Sequence, residues 1–132
     1  MTQENKELLL RDLCTRIPYG VKILIPSWDE REMEYVDRVD TLYSVNDDNY
    51  VIATNDYYDF CVEDVKPYLF PLLSMTEEQK EIYRNFFINP LRGLLTPQNS
   101  IELFDWLNKN HIDYRDLIEK GLAIDATGLN IY

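Results

Sequence analysis

WDEREMEYVDRVDTLYSVNDDNYVIATNDYYDFCVED, residues 28–64, is the stretch whose reading decides the fold. Valine, tyrosine and threonine crowd Tyr35–Tyr43, the composition of a strand. The alternation there is imperfect, which predicts a bulge near Val39. Asn46-Asp47-Asp48-Asn49 reads as a turn, because Asn and Asp bond their own backbone and tolerate positive φ. Tyr50–Thr54 follows as a strand, and Asn55-Asp56 turns the chain again. Tyr58, Phe60 and Val62 then alternate with Tyr57, Asp59, Cys61 and Glu63. With the β-branched run Val21–Ile25 ahead of it, closed by Pro26, residues 19–64 read as an antiparallel meander. Such a meander curls into a small SH3-like barrel. Alternation would put its aromatics and valines inside and its acids outside.

Helices are expected on both sides of the meander. Leu9, Leu10, Leu13, Cys14 and Ile17 recur at helical spacing, so residues 1–17 form a helix with Thr2 as cap and Pro18 as its end. Residues 65–75 carry Pro67 and Pro71, which argue against helix or central strand. Their apolar content predicts an irregular strap across the barrel. Thr76-Glu77-Glu78-Gln79 is a capping box that opens a helix stopping before Pro90. Thr96-Pro97 starts the next, with Ile101, Leu103, Phe104, Trp106 and Leu107 as a broad buried face. Asp113–Gly121 reads as one more short helix, closing a helical region at 76–121, and the tail 122–132 returns as a weak strand. The expected fold is therefore one α+β domain over 1–132.

The same deciding stretch holds almost all the net charge. Residues 29–64 carry twelve acids against Arg31 and Arg38, which accounts for −10 of the chain's −11. Lysine is missing between Lys22 and Lys66. A localised negative surface repels nucleic acid and anionic lipid and attracts basic proteins. The apolar fraction of 45% argues against disorder. Cys14 and Cys61, without a secretory signal, read as buried reduced thiols. Leu8–Leu10 is too short an apolar run for a membrane span, so a soluble cytoplasmic protein is expected.

Three blocks together carry a resemblance: Tyr19-Gly20-Val21-Lys22, Val62–Thr76 (VEDVKPYLFPLLSMT) and Asp105–Asp125 (DWLNKNHIDYRDLIEKGLAID). They resemble a family of small uncharacterised proteins common in gut bacteria of the Bacteroides type, often encoded near phage-like or mobile regions. The resemblance implies an intracellular bacterial setting and a loose phage association. It implies no activity, cofactor or catalytic residue.

Motifs for chemistry are sparse. The lone histidine, His111, follows Asn108-Lys109-Asn110 at a helix end, which reads as a packing role or as a cap, where an imidazolium suits the helix dipole. Neither Ser100 nor Cys14 lies in a nucleophile signature, so no catalytic residue is assigned. Asn46–Asn49 lacks the alternate acids, central glycine and closing glutamate of an EF-hand, and no phosphate-cradling glycine motif occurs. Neither a metal nor any other cofactor is expected. Basic residues are too few for direct nucleic-acid binding.

Acids mixed with tyrosines read first as a solvated, charge-decorated face that keeps the sheet from pairing with neighbours, and second as an interface, since tyrosine is favoured there. Asp37, Asp40, Asp47, Asp48, Tyr50, Asp56, Tyr57 and Asp59 are the candidate residues for binding a basic protein partner. A DNA-mimicking inhibitor is a specialised form of that function. The alternatives are a small carboxylate- or metal-dependent hydrolase and a structural subunit of a homo-oligomer.

Overall fold

Thr2 opens the first helix in the computed structural model, which describes residues 1–54, 59–87 and 96–132. Its hydroxyl accepts the Asn5 N–H at 3.1 Å, satisfying one of the donors that a helix start leaves bare. Helix α1 runs Gln3–Arg16, and Pro18 then tightens the chain into a 3-10 turn over Ile17–Tyr19. Gly20, at φ 67°, takes the left-handed conformation that points the chain into the sheet.

Strand β1 (Lys22–Asp29) pairs antiparallel with β2 (Glu34–Val45) along its whole length, from Lys22↔Thr41 to Asp29↔Glu34. The Asn46 carboxamide oxygen then accepts the N–H groups of Asp48 and Tyr50, both at 3.0 Å, and makes the expected turn. It leads into β3 (Val51–Ala53), which pairs with β4 (Asp59–Phe60). The bulge falls between Leu42 and Ser44, further along β2 than Val39.

The strap expected over 65–75 contains a strand instead. β5 (Lys66–Pro71) pairs antiparallel with β1 at Ile23↔Pro67 and Leu24↔Lys66. It also lies parallel to β6 (Ile112–Asp113) and β7 (Ile124–Asp125). Its prolines are tolerated because each ladder is two residues long and draws on other groups. The Phe70 N–H donates to the His111 carbonyl, and the Leu69 carbonyl accepts from Ala126 N–H. The sheet order is β4-β3-β2-β1-β5-β6, with β7 on β5. The sheet curls but does not close, so the expected SH3-like barrel gives way to an open sheet between an N-terminal helix and C-terminal helices.

The capping box forms as expected: the Thr76 N–H donates to Gln79 Oε1 and the Gln79 N–H to Thr76 Oγ1. It opens α2 (Glu77–Phe87), and Thr96 caps α3 (Pro97–Lys109). Of the apolar face expected on α3, Leu103 and Leu107 are buried while Ile101 and Phe104 are exposed. The helix expected at 113–121 is a run of turns. Asp116 sits at φ 57°, outside the helical range, and the Asp113 carboxylate accepts the N–H groups of Leu117 and Ile118. Both cysteines are free and exposed, contrary to the buried thiols expected, because Cys14 lies off the Leu9/Leu13 stripe of α1.

Two apolar clusters result. One joins Leu9 and Leu13 of α1 to Ile23, Ile25, Val51, Leu69 and Leu117. The other joins Leu103, Leu107 and Ile112 to Tyr83 and Phe86 of α2. Between α1 and β6 sits a fully buried ion pair. Arg16 Nε donates to Asp12 Oδ2 at 2.8 Å and Arg16 Nη2 to Oδ1 at 3.1 Å. The same Nη2 reaches the Ile112 carbonyl at 2.8 Å, and Arg115 Nε lies 3.2 Å from Asp12 Oδ1.

Removing Asp12 strands the buried Arg16 charge without a carboxylate or solvent, whereas removing Arg16 would leave Asp12 its contact with Arg115. Asp12→Leu is expected to cost about 3–5 kcal/mol in urea unfolding, as for other broken buried pairs. Asp12→Leu with Arg16→Met should recover part of that loss, because both charges then leave together. Additive losses in the double variant would contradict the assignment.

Candidate functional site

Opposed residues of an antiparallel pair point to the same face. The β1–β2 register therefore groups Leu24, Pro26 and Trp28 with Val39, Asp37 and Tyr35. Ile23 and Ile25, on the other face, enter the core beside Asp40. The predicted alternation is thus reversed at these positions. Tyr35 is 71% exposed and Tyr43 65%, whereas Asp40 is 6% exposed. Asp40 pairs with Arg38 at 3.4 Å and accepts the Thr41 N–H, so it is structural rather than part of an outward acidic surface.

The remaining candidates separate into two places. Asp37 is exposed on the β2 half of the hairpin; burial, with the Asp37 charge as the smaller cause, holds the Tyr68 phenol above its ordinary pKa. Asp47, Asp48 and Tyr50 are exposed around the β2–β3 turn, and Asp59 on the neighbouring β4 accepts a bond from Asn46 Nδ2 at 3.2 Å. Asp56 and Tyr57 lie outside the described residues.

The curl of the sheet brings β4 up to the far half of the hairpin. A cleft of about 570 Å³ opens there, lined by Pro26, Ser27, Trp28, Glu30, Tyr35, Asp59 and Phe60. Trp28 and Tyr35 meet edge to face with ring centres 5.1 Å apart, and Trp28 remains 48% exposed. Two carboxylates, Glu30 and Asp59, share the lining, and no lysine or arginine is among these lining residues. Of the described candidates, Asp59 belongs to this cleft. Trp28, Glu30 and Tyr35 were missed because alternation assigned the aromatics to a core. The signal that finds them is the register: Trp28 opposite Tyr35, beyond the last core position Ile25.

A larger concavity of about 760 Å³ lies between α1 and α3, with Pro18, Tyr19, Ile101, Phe104 and Tyr114 among its walls and Cys14 at its margin. Its mixed lining includes both Asp105 and Arg115, so its charge selects no particular occupant. Among the described residues, no three His, Cys, Asp or Glu side chains gather as a metal-binding group. No described helix is long and apolar enough to cross a membrane. Comparison with protein-family models, with curated proteins and with solved structures finds no match to this chain.

Of the capping and packing roles expected for His111, the structure gives it packing. Its ring stacks on Tyr132 with centres 3.8 Å apart and planes 11° from parallel. Burial, with the nearby positive charges of Arg16 and Lys22, lowers its pKa to about 4. The imidazole is therefore neutral. Tyr132 completes the clasp, donating its hydroxyl to the Tyr68 carbonyl at 2.6 Å and accepting the Lys22 N–H at 2.9 Å. Burial pushes that phenol up to about 12.

Because the folded pKa of His111 lies below the ordinary 6.5, the unfolded chain takes up a proton first as pH falls. The stability contributed by the neutral ring is complete above about pH 6.5 and is lost as pH drops towards 4. His111→Phe keeps an aromatic ring against Tyr132 and removes this titration. Its melting temperature should fall less than the parent's between pH 7 and pH 4.5, by calorimetry. Equal falls would refute a neutral buried His111.

Proposed function

We propose that this protein is a non-enzymatic binding module whose acidic, tyrosine-bearing sheet surface docks a basic protein. The observation that carries the reading is the localisation of charge: −10 of −11 falls within residues 29–64. Asp37, Asp47, Asp48, Asp59 and Tyr50 on that stretch are all exposed. Aromatic side chains beside carboxylates supply both contact area and attraction for lysine and arginine, the composition that interfaces favour. Asp40, being buried, leaves the set. A DNA-mimicking inhibitor, in a phage-linked setting, is a specialised version in which spaced carboxylates imitate phosphates to a basic groove.

A lysine-rich peptide titrated against the full chain tests the reading. Binding should weaken steeply as ionic strength rises to about 0.5 M, where screening acts within a few ångströms. Neutralising Asp37, Asp47, Asp48 and Asp59 to their amides should weaken it about tenfold or more, about 1.4 kcal/mol. Neutralising the equally exposed Glu4, Glu7, Glu81 and Glu119 should change it little. Equal losses in the two variants would reduce the attraction to overall charge and overturn the docking surface.

A further inference from the structure

The cleft between the β1–β2 hairpin and β4 presents a combination that the charge pattern alone does not explain. A tryptophan and a tyrosine in edge-to-face contact are left 48% and 71% exposed, beside the carboxylates of Glu30 and Asp59, and no cation is among the described lining residues. Large aromatics held open in a concave site mark contact surfaces rather than core. Asp59 is held in place by Asn46, whose side chain is fixed in turn by the β2–β3 turn. Asp29 is engaged at the hairpin end, where its carboxylate accepts the Arg31 N–H at 2.9 Å. The cleft's own carboxylates are Glu30 and Asp59.

We infer that this cleft receives an arginine side chain from the docked partner, the guanidinium stacking against Trp28 and pairing with Glu30 and Asp59. This rests on the basic-partner reading and names the group that the partner inserts. Arginine fits better than lysine for three reasons. Its planar guanidinium stacks on aromatic faces, its fork of donors serves carboxylates on two sides, and it loses less hydration than an ammonium. A cleft of about 570 Å³ lies within the usual range of ligand sites and holds a long side chain with some flanking backbone. Backbone pairing along this edge is disfavoured. Lys22 turns its N–H away from β2 to Tyr132, and alternation gives Pro26 the same outward direction, where it has no N–H to offer. Side-chain insertion is the mode left for this end of the hairpin.

Two peptides of equal length and charge, one arginine-rich and one lysine-rich, test the inference by fluorescence anisotropy against the full chain. The arginine peptide should bind about two- to fivefold tighter, the range of an exposed cation–π contact, and more if the site dries on binding. Trp28→Leu should abolish that preference while leaving salt-dependent binding of both peptides, and Glu30→Gln with Asp59→Asn should weaken the arginine peptide more than the lysine one. Thermal melts of each variant establish that the fold is kept. Equal affinities for the two peptides, unaffected by Trp28→Leu, would overturn the cleft assignment and leave the basic-partner reading standing. No binding of either peptide would overturn both. A concentration-dependent mass in sedimentation that Trp28→Leu abolishes and neither peptide displaces would assign the cleft to a second copy of this chain instead.

Discussion

The buried pair of Asp12 and Arg16 is the constraint around which the rest of the chain is arranged. Two fully buried charges are tolerable only when each is surrounded by partners of matching geometry. Asp12 has two guanidinium neighbours, Arg16 from its own helix and Arg115 from the far end of the chain. Arg16 in turn donates to the Ile112 carbonyl, ninety-six residues away in sequence. Both guanidinium groups also lie against the Tyr114 ring, 5.1 and 5.2 Å from its centre, and the Tyr114 hydroxyl donates to Asn108. The ion pair therefore fixes where β6 must run, and β6 fixes one neighbour of β5. Because β5 also pairs with β1, the placement extends from α1 through the C-terminal region to the root of the hairpin.

The root and the far end of that hairpin are held differently. Ile23 and Ile25 are fully buried, and Ile23 and Leu24 pair with β5 on one side and β2 on the other. From Pro26 onward β1 has, among the described residues, β2 alone as its ladder partner. The side chains there are correspondingly open, with Trp28, Met33, Tyr35 and Val36 exposed. A rigid base supporting an aromatic, acidic end is the arrangement expected of a recognition element, since binding residues sit best where a scaffold holds them. The clasp of His111 on Tyr132 adds to that base. The Tyr132 hydroxyl bridges Lys22 at the start of β1 to Tyr68 in β5.

Local chemistry made much of the chain legible from its residues. The hydroxyl caps at Thr2, Thr76 and Thr96, the Asn46 turn and the antiparallel meander all depend on groups within a few positions of one another. What escaped depends on distant partners. Pro67 and Pro71 argue against a central strand only if their own N–H groups are needed, and here the bonding passes through Leu69 and Phe70. Asp113–Gly121 has helical spacing, but the Asp113 carboxylate satisfies the next free N–H groups from a strand position, which leaves no helix to be formed. Asp40 was assigned outward by its charge, yet Arg38 and the Thr41 N–H make its burial tolerable. The acidic candidates around Asn46 were legible because turns are exposed. The aromatic cleft was not, because a period-two pattern cannot tell a core face from an open one.

The same geometry bears on why the acids are there. Charged side chains commonly serve to keep sheet edges from pairing with other molecules. In this sheet the edge of β1 beyond β5 already carries Pro26, a device that blunts an edge without a carboxylate. Solubility would be met by mixed charge, whereas residues 29–64 hold twelve acids and two arginines. Like charges so concentrated repel one another and tend to loosen the folded state. The proposed attraction to a cationic partner would offset that repulsion, and it would use the open tryptophan and tyrosine that solvation and edge protection leave without a role.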